Sequence, residues 1–349
     1  MEPPRVWVLL GKGAGGNQQM RLLAAALGWP TEEKRLVYNP LERVPNLLRG
    51  ATRLGLDRRR SDPLLPPWPD LVIGASRRSA PVARFIKRRS GARCVHLFHV
   101  QGPLAPFDLV VTLPQYRLPQ RPNVLQLSGA LNRVSKHDLA RAAARWKPRF
   151  TALPRPWIAL IAGGDSSSYA FTPDVAARLG RQASQLARDE GGSLLITTTP
   201  RTKPDSTQAL FAEIDVPAHR YIFQTDDPDN PYRAYLALAD RFIVTVDSAS
   251  LPMEACATGK PVQVFEWPRK KPVRHDGGNT WGDALFAKMI AWGLVKPARD
   301  FDAYHRVLRE RRLTSGLDQA PIVPRTPPDD LGTTIDRIRV LFADPRATS

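Results

Sequence analysis

Apolar runs of four to seven residues recur along the chain. Most run straight into a cluster of Gly, Ser, Thr or Asp, and then into a stretch with helical periodicity. VWVLL (6–10) leads into GKGAGGNQ (11–18) and a helix over NQQMRLLAAALG, whose Met20, Leu22, Leu23 and Leu27 share one face. DLVIGA (70–75), CVHLFHV (94–100), DLVVTL (108–113) and VLQLSG (124–129) follow as strands, with a helix, APVARFIKRRSG, between the first two. Strands alternating with helices predict βαβ units and a parallel sheet. SKHDLARAAARW (135–146) predicts another helix, and KPRFTALPRP (147–156) reads as a linker. The pattern then restarts. WIALIAGG (157–164), a helix at 173–190, SLLITTT (193–199), RYIFQ (220–224), a helix at NPYRAYLALA (230–239), RFIVTV (241–246), a helix at 251–258 and PVQVFE (261–266) form a second series.

Length agrees with that reading, since 349 residues exceed what one hydrophobic core usually organises. Two α/β, Rossmann-like domains are therefore expected, at 1–150 and 151–325. Residues 326–349 are expected to form a C-terminal helix, IDRIRVLF, and a tail that packs back on the first domain. No apolar run approaches the roughly 20 residues of a membrane span, and VWVLL is too short for the core of a signal peptide. A cytoplasmic protein is expected, free or peripheral on the cytosolic face of the inner membrane. Cys94 and Cys256 stand far apart in apolar runs, which suits buried thiols rather than a disulfide or a metal site.

Charge adds an asymmetry. The net charge is +18; residues 1–150 hold 26 Lys/Arg against 9 Asp/Glu, and the remainder 25 against 24. Runs such as RRR (58–60) and KRR (87–89) carry the excess. A field of this kind suits an anionic membrane surface, a lipid-linked anionic acceptor or nucleic acid. Few aromatic side chains interleave with the basic runs, which disfavours nucleic acid. An arginine-rich composition on solvated faces would give the excess but not its confinement to one half.

Four turns carry candidate chemistry. In GKGAGGNQ, Gly13, Gly15 and Gly16 allow close backbone approach, with Asn17 and Gln18 beside them; the run has neither dinucleotide-fingerprint nor P-loop spacing. GGDSSSY (163–169) offers Gly163, Gly164, Ser166 and Ser167 to a phosphate, more than helix capping needs. TTTPRTKPD (197–205) sets Thr199 and Arg201 at the end of a strand, where a guanidinium can fork onto a diphosphate. TVDSASLPMEACATGKPV (245–262) places Ser248 and Ser250 before a helix and Glu254 one turn along it. Hydroxyls at the mouth of a strand suit a phosphate, and a carboxylate one turn later suits the diol of a ribose. A plain N-cap with an exposed glutamate is the competing account of this last stretch.

The second series resembles the nucleotide-sugar-binding half of GT-B glycosyltransferases. Gly-rich GKGAGGNQ and the spacing of Ser250, Glu254, Ala255, Gly259 and Pro261 are similar to peptidoglycan N-acetylglucosaminyltransferases. A resemblance over roughly 5–265 is to the family named after the plant "elongate mitochondria" fission protein, whose bacterial members are classed with glycosyltransferases. It rests on AGGNQ, VQGP…FDLVV (100–111), NV…SGAL (123–131), IAGGDSSSY, TTTPRT, NPYRAYLALAD and TVDSASLPMEACATGKPV. The resemblance implies a GT-B-like fold, two Rossmann-like domains facing across a cleft. It also implies a donor site containing Ser248, Ser250 and Glu254. Two departures stand out. The histidine of the peptidoglycan enzymes' first glycine loop is absent, with Asn17 and Gln18 nearby, and Gln115 and Tyr116 stand where the fission family tends to show a His-Asp pair.

The expected function is transfer of a sugar from a nucleotide-diphospho-sugar, its substrate, to a lipid-linked or lipopolysaccharide-type acceptor. No cofactor and no metal are expected; TDDPDNP (225–231) precedes a helix, which Asp226 and Asp227 are expected to cap. An inverting transfer needs a group to take the acceptor's proton. His96, His99, Asp108 and Asp165 are the candidates by type, although a histidine on an alternating strand such as CVHLFHV is more often a packed structural residue. The alternatives are a non-catalytic membrane-associated scaffold, as the plant relative's role suggests, or a sugar-nucleotide 2-epimerase of the same fold.

Overall fold

The structure is a computed structural model and describes residues 2–132, 135–270, 285, 289 and 299–343. The first sheet is built from β1 (Val6–Leu10), β2 (Thr31–Arg35), β3 (Leu71–Ala75), β4 (Arg93–Leu97), β5 (Leu109–Thr112) and β6 (Val124–Gln126). They lie in the order β2-β1-β3-β4-β5-β6, every neighbouring pair parallel. Helix α1 (Ala14–Leu27) follows β1, α2 (Asn46–Arg49) is a single turn after β2, and α3 (Ser76–Ser90) follows β3.

The second sheet is also parallel throughout. It contains β7 (Trp157–Ile161), β8 (Ser193–Thr197), β9 (Ala218–Tyr221), β10 (Arg241–Thr245), β11 (Val262–Phe265) and β12 (Ser315–Gly316), in the order β12-β11-β10-β7-β8-β9. Its helices are α4 (Lys136–Phe150), α5 (Pro173–Asp189), α6 (Pro204–Ala212), α7 (Tyr232–Leu238), α8 (Ser250–Cys256) and α9 (Phe301–Glu310); α10 (Asp330–Ala343) lies near the C-terminus. The α/β class and the pair of Rossmann-like units expected from the sequence are both present.

Strands covered on both faces read as unbroken apolar runs. That is why β1 (VWVLL) and β7 (WIALI), buried at every position, stood out in the sequence. Strand β2 is TEEKR, with Lys34 alone buried, and the apolar pattern gave no sign of it. Its ammonium lies 4.4 Å from the Trp7 ring centroid and pairs with Glu32 at 2.6 Å. Charges on an edge strand oppose edge-to-edge pairing with another chain. Helix α5 shows the opposite logic. Ala176, Leu179, Ala183 and Ala187 bury one stripe, Pro173 opens the first turn, and Thr172 accepts the Val175 N–H as cap.

The chain divides into two compact units. One runs to Leu131, includes Asp300, and resumes at Asp329; the other begins at Asn132 and includes Phe301–Pro328. Residues 147–156 are therefore not an interdomain linker, and the boundary expected at 150 moves to 131. Helix α4 carries Trp146 and Phe150 into the second core, where Phe150 meets Trp157 edge-on at 5.8 Å. In the first unit, α10 packs on α1 and β5. Asp330 Oδ2 accepts the N–H groups of Ser128 and Gly129, and Phe342 meets Trp29 edge-on at 5.1 Å. The tail beyond Ala343 lies outside the described residues.

Candidate functional site

In the second sheet the chain builds outward from β7 through β8 to β9, then returns to lay β10 on the other side of β7. The order reverses between β7 and β10, and the crevice beyond the carboxyl ends of the two strands at such a reversal is the ligand position of open α/β sheets. Three turns meet there. The Gly163 N–H donates to Thr245 Oγ1 at 2.8 Å, and the Gly164 N–H to Asp247 Oδ2 at 3.2 Å. Thr202 Oγ1 donates to the Gly163 carbonyl at 2.6 Å and accepts the Thr199 N–H at 2.9 Å. A Cβ on Gly163 would strike Asp247 and Thr245, and one on Gly164 would strike the backbone of Arg201 and Thr202. Both glycines are thus required by the meeting of the turns themselves, whether or not a ligand approaches.

Charge is concentrated on the same turns. The Arg201 guanidinium pairs with Asp247 at 2.8 Å, with the Asp247 side chain fully buried. Burial raises the proton affinity of Asp247, and Arg201, the Thr245 hydroxyl and the Gly164 N–H oppose that rise without cancelling it. Lys203 Nζ lies 2.9 Å from Asp165 Oδ2, and Asp165 Oδ1 accepts the Phe171 N–H. The hydrogen bond from Lys203 holds the Asp165 carboxyl below its ordinary range. Lys270 Nζ donates to the Ser166 carbonyl at 3.1 Å. Three cations therefore surround the Gly-Gly-Asp-Ser-Ser-Ser turn. Ser166 Oγ accepts the N–H groups of Ser168 and Tyr169, a local turn bond, while Ser167 is exposed.

The fourth turn lies alongside. Ser248 Oγ accepts the Leu251 N–H at 3.4 Å, and Ser250 opens the seven-residue helix α8, partly exposed. Glu254 is half-buried, and its Oε2 accepts the Tyr232 hydroxyl at 2.7 Å from the start of α7. Burial raises the Glu254 carboxyl, with Tyr232 and Arg233 opposing. Asn230, not Asp226 or Asp227, takes the Tyr232 N–H at the start of that helix. Asp227 closes its own turn, accepting the Tyr221 hydroxyl and the Asp229 N–H.

In the first unit, Gly15 and Gly16 lie inside α1 and Gly13 caps it, none with positive φ, so no tight left-handed turn is made. A Cβ on Gly13 or Gly15 would meet nothing within 4 Å. What these glycines do is leave the start of α1 bare. Asn17 closes the loop by bonding both the N–H and the carbonyl of Gly11, and Gln18 is exposed. His96 is fully buried, its Nε2 at 2.8 Å from the Ser76 carbonyl, and burial pushes its pKa down to about 4. Asp108 precedes β5, at the amino edge of the sheet, and pairs with Lys87 at 2.6 Å while accepting the Cys94 N–H. That bonding makes Asp108 a structural residue. His99, part-buried, lies 6.3 Å from the Tyr116 ring. Cys94 and Cys256 are buried free thiols.

Sequence reasoning passed over Asp247, Lys203, Lys270 and Tyr232. Asp247 carried a usable signal, a carboxylate directly after an apolar strand inside a motif already singled out. Tyr232 carried none, because 22 residues separate it from Glu254. Among the described residues no group of three His, Cys, Asp or Glu is placed to hold a metal ion.

Comparison with known proteins agrees with the family expected. A glycosyltransferase from Rickettsia africae is similar in structure, with a TM-score of 0.49 and 12% identity over 99% of this chain and all of that one. So is a UDP-GlcNAc 2-epimerase from Neisseria meningitidis, with a TM-score of 0.47 and 11% identity over 97% of this chain and all of that one. The mitochondrial fission protein ELM1 of Arabidopsis thaliana is 30% identical over 220 residues, 56% of this chain and 51% of that protein. The chain thus spans about half the length of its plant relative. The protein RP120 of Rickettsia prowazekii is 23% identical over 307 residues, 77% of this chain and 85% of that protein. The family model for mitochondrial fission ELM1 matches residues 14–297, and by that span the chain belongs to the mitochondrial fission ELM1 family.

Proposed function

We propose that the second unit binds a nucleotide-diphospho-sugar and that the protein transfers the sugar to a lipid-linked or lipopolysaccharide-type acceptor at the cytosolic membrane face. One observation carries the reading. The Gly163–Gly164 turn, Arg201 and Asp247 are packed together at the point where the order of the second sheet reverses. A diphosphate there meets Arg201, Lys203 and Lys270, which balance the charge developing on the leaving group without a metal. Glu254, with one oxygen held by Tyr232, offers the other to the ribose hydroxyls. Ser248 and Ser250 flank the phosphate position, and the basic first unit takes the acceptor, with Gly13, Gly15 and Gly16 leaving the start of α1 open to it.

Calorimetric titration of the full chain with uridine diphosphate and a panel of nucleotide-sugars tests this. Saturable binding is expected, weakened about tenfold or more by Glu254→Ala, the loss of a hydrogen bond to a charged group. Absence of binding across the panel would end the reading. A non-catalytic scaffold is the second reading, favoured by Asp108 and Asp165 both being held in ion pairs. It predicts donor binding or membrane association with no turnover when acceptor lipids are supplied, whereas His99→Ala would abolish turnover in a transferase that uses His99 as its base.

A further inference from the structure

Among the described residues, most large apolar side chains that face solvent lie in one segment of the first unit. Leu41, Leu47, Leu48, Leu54 and Leu65 all fall between β2 and β3, with Leu48 72% and Leu65 61% exposed. Helix α2 is inside out. Asn46 and Arg49 are buried, at 1% and 2% exposure, while Leu47 and Leu48 between them point outward. An amphipathic turn in water does the reverse.

The inversion is fixed by hydrogen bonds. Asn46 Nδ2 donates to the carbonyls of Arg77 and Val100, at 2.9 and 2.7 Å, and Asn46 Oδ1 accepts from Arg49. Arg49 Nη1 reaches the Leu54 carbonyl, and the Asn39 N–H donates to the Gly55 carbonyl. Gly55, at φ +91°, brings its backbone against Glu42 and Arg49. Residues 39–55 are thereby folded onto themselves as a compact lobe that keeps its leucines outward.

Cations crowd the same lobe. Residues 41–65 hold six arginines against three carboxylates, Glu42, Asp57 and Asp62. The Arg53 guanidinium lies 4.7 Å from the Phe85 ring centroid and that of Arg89 lies 5.8 Å from it. Burial lowers the proton affinity of Arg53, and the charges of Arg58 and Arg89 lower it further. No carboxylate pairs with Arg53, Arg58 or Arg89 among the described residues. Exposed leucines beside like-charged guanidiniums complement one partner above others, an interface apolar a few ångströms below an anionic surface.

We propose that the β2–β3 connection docks the protein on an anionic lipid leaflet, Leu41, Leu47, Leu48 and Leu54 entering the acyl boundary and Arg53, Arg58 and Arg89 lying among the headgroups. The inference extends the acceptor half of the proposed function and uses no residue of the donor site.

The test is co-sedimentation of the full chain with phosphatidylcholine vesicles, with and without phosphatidylglycerol. Binding only to the anionic vesicles is expected. It should fall roughly fivefold for Arg53→Gln and on the order of tenfold or more for Leu47→Gln with Leu48→Gln. The double leucine variant should keep the melting temperature of the parent, since both leucines are exposed. A Leu48→Trp variant should shift its emission to the blue on vesicles and be quenched by brominated acyl chains. Absence of vesicle binding would overturn the proposal, as would undiminished binding of the double leucine variant or failure of the brominated chains to quench the introduced indole. Stronger retention on nucleic acid than on vesicles would overturn it too. Uridine diphosphate calorimetry on the same samples separates the ideas: lost vesicle binding with retained nucleotide binding removes this docking surface alone, and the reverse removes the donor site alone.

Discussion

Asp247 and Glu254 are held by different means. The first is sealed against glycine backbone with a guanidinium on it, the second half-buried with a tyrosine hydroxyl on one oxygen. Glu254 has the simpler titration. Its folded-state pKa is raised, so its ionisation costs stability as pH climbs from the ordinary glutamate value through the raised one. Glu254→Gln keeps an acceptor for Tyr232 and removes the charge. Its melting temperature should match the parent's in acid and exceed it above the raised pKa, while donor affinity falls; scanning calorimetry across pH would show it, and a constant difference at all pH values would contradict it. Asp165 runs the other way. Lys203 lowers its pKa, so its contribution is full above the ordinary aspartate range and is lost as pH falls through the lowered value. At Gly164, alanine would meet the backbone of Arg201 and Thr202, which no rotamer can relieve. Gly164→Ala should cost about 1–3 kcal/mol or more, read as a lower urea midpoint at unchanged slope.

At the scale of elements, legibility followed burial. β1 and β7 are apolar at every position, and β10 at its three central ones, because they are buried on both faces, and the eye finds such runs directly. β2 is charged and β12 is two residues long, so each becomes a strand through its neighbour and neither announces itself. Strand order was not readable, since order is set by which helix packs on which face and not by any strand's own composition. The three-turn meeting at the proposed donor site was half legible: its glycines and hydroxyls are local, whereas the partners of Asp165 and Asp247 are fixed only by that order. Helix α10 offers a test at this scale. Asp330 binds two backbone N–H groups at 128 and 129 with one oxygen. Asp330→Ala should cost roughly 1.5–3 kcal/mol, the worth of hydrogen bonds to a charged group, and should raise amide exchange in α10 and α1 while leaving β7 to β10 protected.

For the whole molecule, two cores imply two responses. A ligand that binds one unit stabilises that unit by mass action, about 2.7 kcal/mol at one hundred times its dissociation constant. Saturating uridine diphosphate should therefore slow hydrogen exchange at 162–169, 198–203 and 245–254 and leave the first sheet unchanged. Equal protection of both sheets would contradict the assignment of the donor to the second unit. The strongly positive charge predicts a further whole-chain property, retention on anionic surfaces that weakens with added salt.

Helix α10 has a consequence in time. It completes the first unit, yet every residue of the second unit described here leaves the ribosome before it. The half begun first is finished last. During translation the surfaces of α1 and β5 that α10 will cover stand open until it emerges, while the residues of the second core are already all present.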